Sequence, residues 1–386
     1  MSLLGRIRSL ASRKLTDSRQ SYVVGFRKFL AKGEAKKALL SYVTFPINES
    51  MLGRQPKHFS NHGIALAWVK ILNQLGYEVD VINWDDTTWR PRKKYDLVIG
   101  HGGKNTTALL AAKKPEGKLI YFSTGSYWKF HNQAAKKRAS YFFKRHKTRL
   151  EPDRQVTDSE EKICRTADGI ITLGTKDIKD TYRGFPRVYN LEIGAYPINR
   201  SWQSKNFEQA RNNFLFFAGG GNLHKGLDLL VDAFNGLEQH LYICTSLTPE
   251  FKINYPLTAP NIHYEGVVDL GGKRFSELVK KSAFVILPSC AEGSPGSVAD
   301  CMAEGLIPVV TPQAGVWTGQ YGFVVNDIEP AKITGLVKKL SGMDPQGLAK
   351  RSQAVWRHTT KEQSPEKFNE LLKGYVKKII ETGKKS

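Results

Sequence analysis

Two carboxylates and one lysine stand out by their surroundings. Glu292 and Asp300 lie eight residues apart in EGSPGSVAD, around a Gly-Ser-Pro-Gly-Ser loop. Lys225 closes a glycine-rich run, Gly219-Gly220-Gly221-Asn222-Leu223-His224-Lys225-Gly226. Each loop follows a short apolar run and opens into helix-forming sequence. Backbone N–H groups converge at such a helix start, and the helix dipole favours an anion there. An ionised carboxylate only accepts hydrogen bonds, so Glu292 and Asp300 suit hydroxyl groups, while Lys225 suits a phosphate. One cationic loop and one acidic loop together suit a ligand that carries both. The plainer reading, two crossover turns kept tight by glycine, accounts for the glycines but not for Glu292 at the mouth of its loop. The spacing excludes two common phosphate motifs. No Gly-Lys-Ser or Gly-Lys-Thr follows the first loop, and neither loop is Gly-x-Gly-x-x-Gly.

The elements that must position these residues are read from hydrophobic patterning. In the second half, strands are expected at 213–218, 240–245, 262–267, 284–287, 306–310 and 321–325. Helices are expected from Leu227, over 275–281, and over 329–341 and 364–381. In the first half, strands are expected at 38–45, 77–83, 95–100, 119–123, 167–173 and 188–195. Residues 46–60 read as a loop, and Ser60 or Asn61 caps a helix with Ile64, Ala67, Trp68, Ile71, Leu72 and Leu75 on its apolar face. Strands alternating with helices predict an α/β protein with two doubly wound, Rossmann-like parallel sheets. The expected divisions are 1–37, 38–197, 198–363 and a closing helix in 364–386. Ligands in such sheets sit at the carboxyl ends of the strands. That draws attention to His101, Thr124 and Ser126, each at or just past a strand end.

The chain has 386 residues and a net charge of +22, with 24% charged and 40% hydrophobic residues. That is long enough for two domains and globular in composition. No apolar run approaches the roughly 20 residues needed to span a bilayer, and no signal peptide is expected from the basic N-terminal stretch. The cysteines, Cys164, Cys244, Cys290 and Cys301, form neither a CxxC pair nor a zinc spacing, which suits reduced thiols and a cytoplasmic location. The charge is lopsided. Residues 1–200 hold 37 Lys and Arg against 18 acids, and residues 201–386 hold 21 against 18. An anionic partner is therefore expected on the first half, either a membrane surface or nucleic acid. Leu3, Leu4, Ile7, Leu10 and Ala11 repeat at helical spacing among arginines, as in a basic amphipathic helix at a membrane surface or one packed on the domain. Residues 127–150 hold eight Lys and Arg and no acid, interleaved with Trp128, Phe130, Tyr141, Phe142 and Phe143. Membrane interfaces and single-stranded nucleic acid both select that mixture, as does a surface helix with a buried aromatic face.

The second half resembles the retaining glycosyltransferases of the GT-B fold, the group called family 4. FFAGGGNLHKGLDLLVDAF and EGSPGSVADCMAEGLIPVV stand for that family's two donor motifs, in the same order and about 70 residues apart. The resemblance covers most of residues 185–380 and implies two such domains facing a central cleft. It also implies that Lys225 holds the donor diphosphate and Glu292 the hydroxyls of the transferred sugar, both as catalytic residues. Gly219, Gly220 and Gly221 line the first loop. Gly293, Gly296, Ser297 and Val298 offer amides and small contacts, and Asp300, where the family has glutamate, takes the ribose hydroxyls with Glu304 as a helper. The family's arginine five residues before the lysine is Gly220 here, and Arg274, Lys273 and His224 are the candidates to replace it. His62, His101, Thr124 and Ser126 are the acceptor-side candidates. A UDP- or GDP-sugar is the implied donor, with no metal and no cofactor, and a glycan or lipid-linked molecule at the inner membrane face the implied acceptor. The alternatives are a nucleic-acid-modifying or nucleic-acid-binding protein and a non-catalytic relative that only binds nucleotide or glycan.

Overall fold

The computed structural model describes residues 22–31, 33–54, 59–199, 201–255 and 257–382. The Leu3–Ala11 pattern lies outside them. Seven strands form the first sheet: β1 Tyr22–Phe26, β2 Lys36–Tyr42, β3 Tyr77–Asn83, β4 Tyr95–Gly100, β5 Lys113–Ser123, β6 Gly169–Leu173 and β7 Val188–Leu191. Their order is β1-β3-β2-β4-β5-β6-β7. β1 runs antiparallel to β3, and the other pairs are parallel. Six strands form the second sheet: β8 Asn213–Phe217, β9 His240–Cys244, β10 Ile262–Gly266, β11 Phe284–Leu287, β12 Ile307–Val310 and β13 Phe323–Val324. Their order is β10-β9-β8-β11-β12-β13, parallel throughout. The continuous apolar runs follow from this topology. Strands covered by helices on both faces bury both sets of side chains, and Leu97, Val98 and Ile99 of β4 are all fully buried.

Several expectations change. The strand expected over 188–195 ends at Leu191, and the one expected over 119–123 begins at Lys113. The strand expected to reach Phe45 ends at Tyr42, and the expected loop after it holds a helix over Phe45–Met51. Pro46 sits in its first turn, where the missing N–H has no intrahelical partner to lose. The basic lead-in contains β1, whose Gly25 N–H donates to the buried Asp80 carboxylate at 2.8 Å.

The helix Trp128–His146 starts on the first half and ends on the second. Tyr127 N–H donates to Thr181 Oγ1 at 2.9 Å, and Asn132 Nδ2 donates to the Val156 carbonyl at 2.8 Å. Further along, Phe142 and Ala139 join the core of the second half. Arg138 Nη2 donates to the Pro288 carbonyl at 2.9 Å, and Arg145 pairs with Asp228 and Asp232. The aromatic face is therefore partly buried against the other half. Lys136, Lys137, Phe143 and Lys144 stay exposed. At the end of the chain, the helix Pro365–Glu381 crosses back. Its Phe368, Leu372, Val376 and Ile379, at helical spacing, complete the first core.

Candidate active site

β11 pairs in parallel with β8, Phe284 beside Phe214 and Val285 beside Leu215. The two loops singled out in the sequence therefore leave adjacent strands at the same end. Cys290 N–H donates to the His224 carbonyl at 3.0 Å, which holds one loop on the other. Lys225 Nζ lies 2.5 Å from Glu292 Oε1. Ser289 Oγ donates to the same oxygen at 3.2 Å, and Glu292 N–H donates to the Gln313 carbonyl at 2.9 Å.

The first half closes on this pair from across the cleft. Gly125 and Gly293 form an antiparallel bridge, and Ser126 N–H donates to the Glu292 carbonyl at 3.0 Å. The Gly293 backbone passes so close to Thr124 that any Cβ there would collide with the Thr124 carbonyl, so glycine is obligatory. Arg154 Nη1 donates to Glu292 Oε1 and Oε2 at 3.2 and 3.4 Å. Its stem lies over Gly221, whose φ is +95° and where a Cβ would meet Arg154 Cδ at 2.5 Å. The neighbouring Asp153 carboxylate accepts from Leu223 N–H at 2.8 Å and His224 N–H at 3.0 Å. Two amides of the turn that precedes the Leu227–Phe234 helix are thus already taken by an internal anion.

The charges settle in a definite order. Burial alone would push the Glu292 carboxyl up, but Lys225 and Arg154 beside it hold it down to about 2. Burial pushes His224 down to about 3, so its ring is neutral. It contacts the Ala291 carbonyl and stacks on His131 at 4.7 Å. His224 is therefore not the replacement cation. Arg274 is held by Glu265 at 2.6 and 2.8 Å and by Glu277 at 2.9 Å, and Lys273 opens the same helix. The second cation at Glu292 is Arg154.

The other expected donor residues fall into two groups. Gly219 and Gly220 are exposed, with Ser246 Oγ at 3.8 Å the nearest atom to a Cβ at position 220. Gly296 and Ser297 start the helix Gly296–Ala303. Val298 does not serve as expected. Its side chain is fully buried in the second core, and its N–H donates to the Pro295 carbonyl at 3.0 Å. The Asp300 carboxylate makes no hydrogen bond or ion pair with any described residue, and burial plus the nearby Glu304 push it up to about 7. Glu304 is not its helper. It fastens the interdomain link by accepting from Ile198 N–H at 2.7 Å and from Asn199 Nδ2 at 2.5 Å.

Next to Glu292 and Gly293 lies a cavity of about 310 Å³, which His101, Thr124 and Ser126 line. His101 Nδ1 lies 2.9 Å from the Phe122 carbonyl, and burial lowers its pKa. The buried Ser126 Oγ has no hydrogen-bond partner among the described residues. His62 is not part of this cavity and packs by the Phe45 ring at 5.7 Å. The sequence reading missed Trp84, Arg154 and Glu160 in the same lining. Burial pushes Glu160 up to about 7. None of the three lies in a motif. Among the described residues, no group of three His, Cys, Asp or Glu is arranged to hold a metal ion.

Residues 212–341 match the family described as glycosyl transferases group 1. No curated protein sequence matches the chain. Sucrose-phosphate synthase from Thermosynechococcus elongatus superposes with a TM-score of 0.59 at 12% identity, over 90% of this chain and 99% of that one. The UDP-forming α,α-trehalose-phosphate synthase from Burkholderia xenovorans gives 0.56 at 11%, with 90% and 99% covered. HepE from Anabaena, crystallised in complex with UDP and glucose, gives 0.53 at 12%, with 89% and 100% covered. Against TarM the score is 0.53 at 12%, and 74% of this chain spans 55% of that protein's length. At such identities the likeness shows the fold, which is the two-domain GT-B architecture. Family match and fold together support a glycosyltransferase.

Proposed function

We propose that the protein takes a UDP- or GDP-sugar as donor and passes the sugar, with retention of configuration, to a glycan or lipid-linked acceptor. The observation that carries this is Glu292 held by Lys225 where the two glycine loops of the matched segment meet, with Gly293 bridged to Gly125 across the cleft. Glu292 is the anion that balances Lys225. An entering diphosphate takes over the lysine, and the released carboxylate accepts hydrogen bonds from the sugar. The helix start at Gly296 and Ser297 faces phosphate, and the unpaired Asp300 takes the ribose diol. The acceptor lies in the cavity lined by His101, Thr124 and Ser126, and its hydroxyl proton passes to the leaving diphosphate on the same face. The protein contributes orientation and charge stabilisation of the leaving group. In this reading cationic side chains, Lys225 among them, and the helix-start amides balance the diphosphate, and no metal or cofactor is required. The exposed Lys136, Lys137, Phe143 and Lys144 suit an anionic membrane surface on the cytoplasmic side.

Radiolabelled UDP- and GDP-sugars incubated with membrane extract test the reading. Transfer is expected, with Glu292→Ala and Lys225→Ala lowering turnover by about 100-fold or more, as for loss of a charge that stabilises a transition state. Neither transfer nor donor hydrolysis across the whole panel would overturn it. Flotation with anionic against neutral liposomes tests the membrane surface. Binding to neither, with steeply salt-dependent DNA binding, would shift the reading to a nucleic-acid partner.

A further inference from the structure

Two cations close on Glu292, and only Lys225 belongs to the second half. Arg154 arrives from the segment between the helices Trp128–His146 and Glu161–Thr166 of the first half. Its guanidinium reaches both Glu292 oxygens, and Lys225 reaches one of them. A single anion is thus already gripped from both sides of the cleft, and an anion that replaces this carboxylate meets both cations. The arginine side chain is 43% exposed, and its neighbours set its course. Its stem crosses Gly221, where the left-handed backbone and the 2.5 Å approach leave no room for a Cβ. Asp153 fastens the segment to Leu223 N–H and His224 N–H, two residues and one residue before Lys225, so Arg154 is held in register with the lysine. Position 220, exposed and without a side chain, offers no charge. A diphosphate carries more than one negative charge, and a lone lysine under-balances it. A guanidinium adds paired donors in a fixed plane.

We propose that Arg154 is the second cation of the donor diphosphate site, supplied across the cleft by the half that carries the acceptor cavity. This rests on the reading above that the site takes a nucleoside diphosphate sugar. Donor affinity then depends on the two halves being apposed, because half of the phosphate charge balance comes from each.

Calorimetric titration of the full chain with UDP and UMP, and with GDP and GMP in parallel, tests this. Arg154→Ala is expected to weaken binding of the preferred diphosphate about 10- to 100-fold, while the monophosphate changes by less than about 3-fold, because only the terminal phosphate loses a charge-assisted bond. Adding Gly220→Arg to Arg154→Ala is expected to recover most of the lost affinity, since the space beside position 220 is open. Unchanged diphosphate affinity in Arg154→Ala, or equal losses for diphosphate and monophosphate, would overturn the proposal and leave the donor site standing. A wild-type protein that binds neither UDP nor GDP would overturn the donor reading and this inference with it.

Discussion

Glu292 and Asp300 are two carboxylates of one motif with opposite electrostatics. Burial raises the pKa of each, and only Glu292 has cations to reverse it, so one sits at about 2 and the other at about 7. Two predictions follow from the signs. The folded pKa of Glu292 lies below its ordinary 4.5. Its contribution to stability is therefore full above that value and is lost as pH falls from about 4.5 towards about 2. Acid unfolding followed by circular dichroism should show that loss, and Glu292→Gln should flatten it. Asp300 behaves the other way. Ribose hydroxyls bind its ionised form better, so UDP affinity should rise as pH climbs through about 7. Asp300→Asn should remove that rise in a titration series. The ionisation of UDP itself is common to both proteins and drops out of the difference. Identical pH profiles for the two would remove Asp300 from the site.

At the scale of elements, the helix Trp128–His146 matters most. Arg145 pairs with Asp228, which has no exposed surface, and with Asp232. Truncating one partner of a buried pair leaves the other charge stranded, at a cost of about 3–5 kcal/mol. Arg145→Ala should lower the denaturant midpoint accordingly, and a companion Asp228→Leu should recover much of the loss. No recovery would mean that the pair does not hold the helix to the second half. How far the sequence foretold the elements depended on range. β3 and β4 run over the residues expected of them, β4 because a doubly covered strand writes its burial locally as the apolar run Leu97–Ile99, and β3 because Tyr77, Val79 and Val81 alternate with Glu78 and Asp80 right after Gly76. The helix over Phe45–Met51 was hidden because Pro46 reads as a breaker unless its place in the first turn is known. The aromatic and basic content of 127–150 was plain, but not its partner. Whether Arg138 and Arg145 face water or protein is decided by Pro288, Asp228 and Asp232, far along the chain. The same holds in the site. Lys225 and Glu292 sit in local motifs, while Arg154 earns its place only through a three-dimensional approach to Gly221 that leaves no local trace.

On the scale of the whole molecule, the chain passes between the halves near 195–206 and again near 363. Those two passages are stitched together, since Ala195 N–H donates to the Gln363 carbonyl at 2.9 Å. Across the cleft, Gly125 meets Gly293. Spin labels on cysteines introduced at the exposed Lys94 and Lys332 would report the separation of the halves. UDP should shift the mean distance by no more than about 2 Å, as in a pre-organised binder. Arg145→Ala should broaden the distribution. A large closing movement in the wild-type protein would show that the contacts described are those of one end of a swing.

The anchored end of the Trp128–His146 helix has a mechanical consequence. Two stitched passages alone make a hinge, and a hinge lets a lid fall open. A rod rooted in one plate and bolted to the other by Arg138 and Arg145 works as a stay. It is expected to block the wide gape and leave a shallow twist as the soft motion. A ligand is then expected to enter edgewise past a gap of nearly constant width, with the size of that slot, rather than the energy of closing, as the first filter.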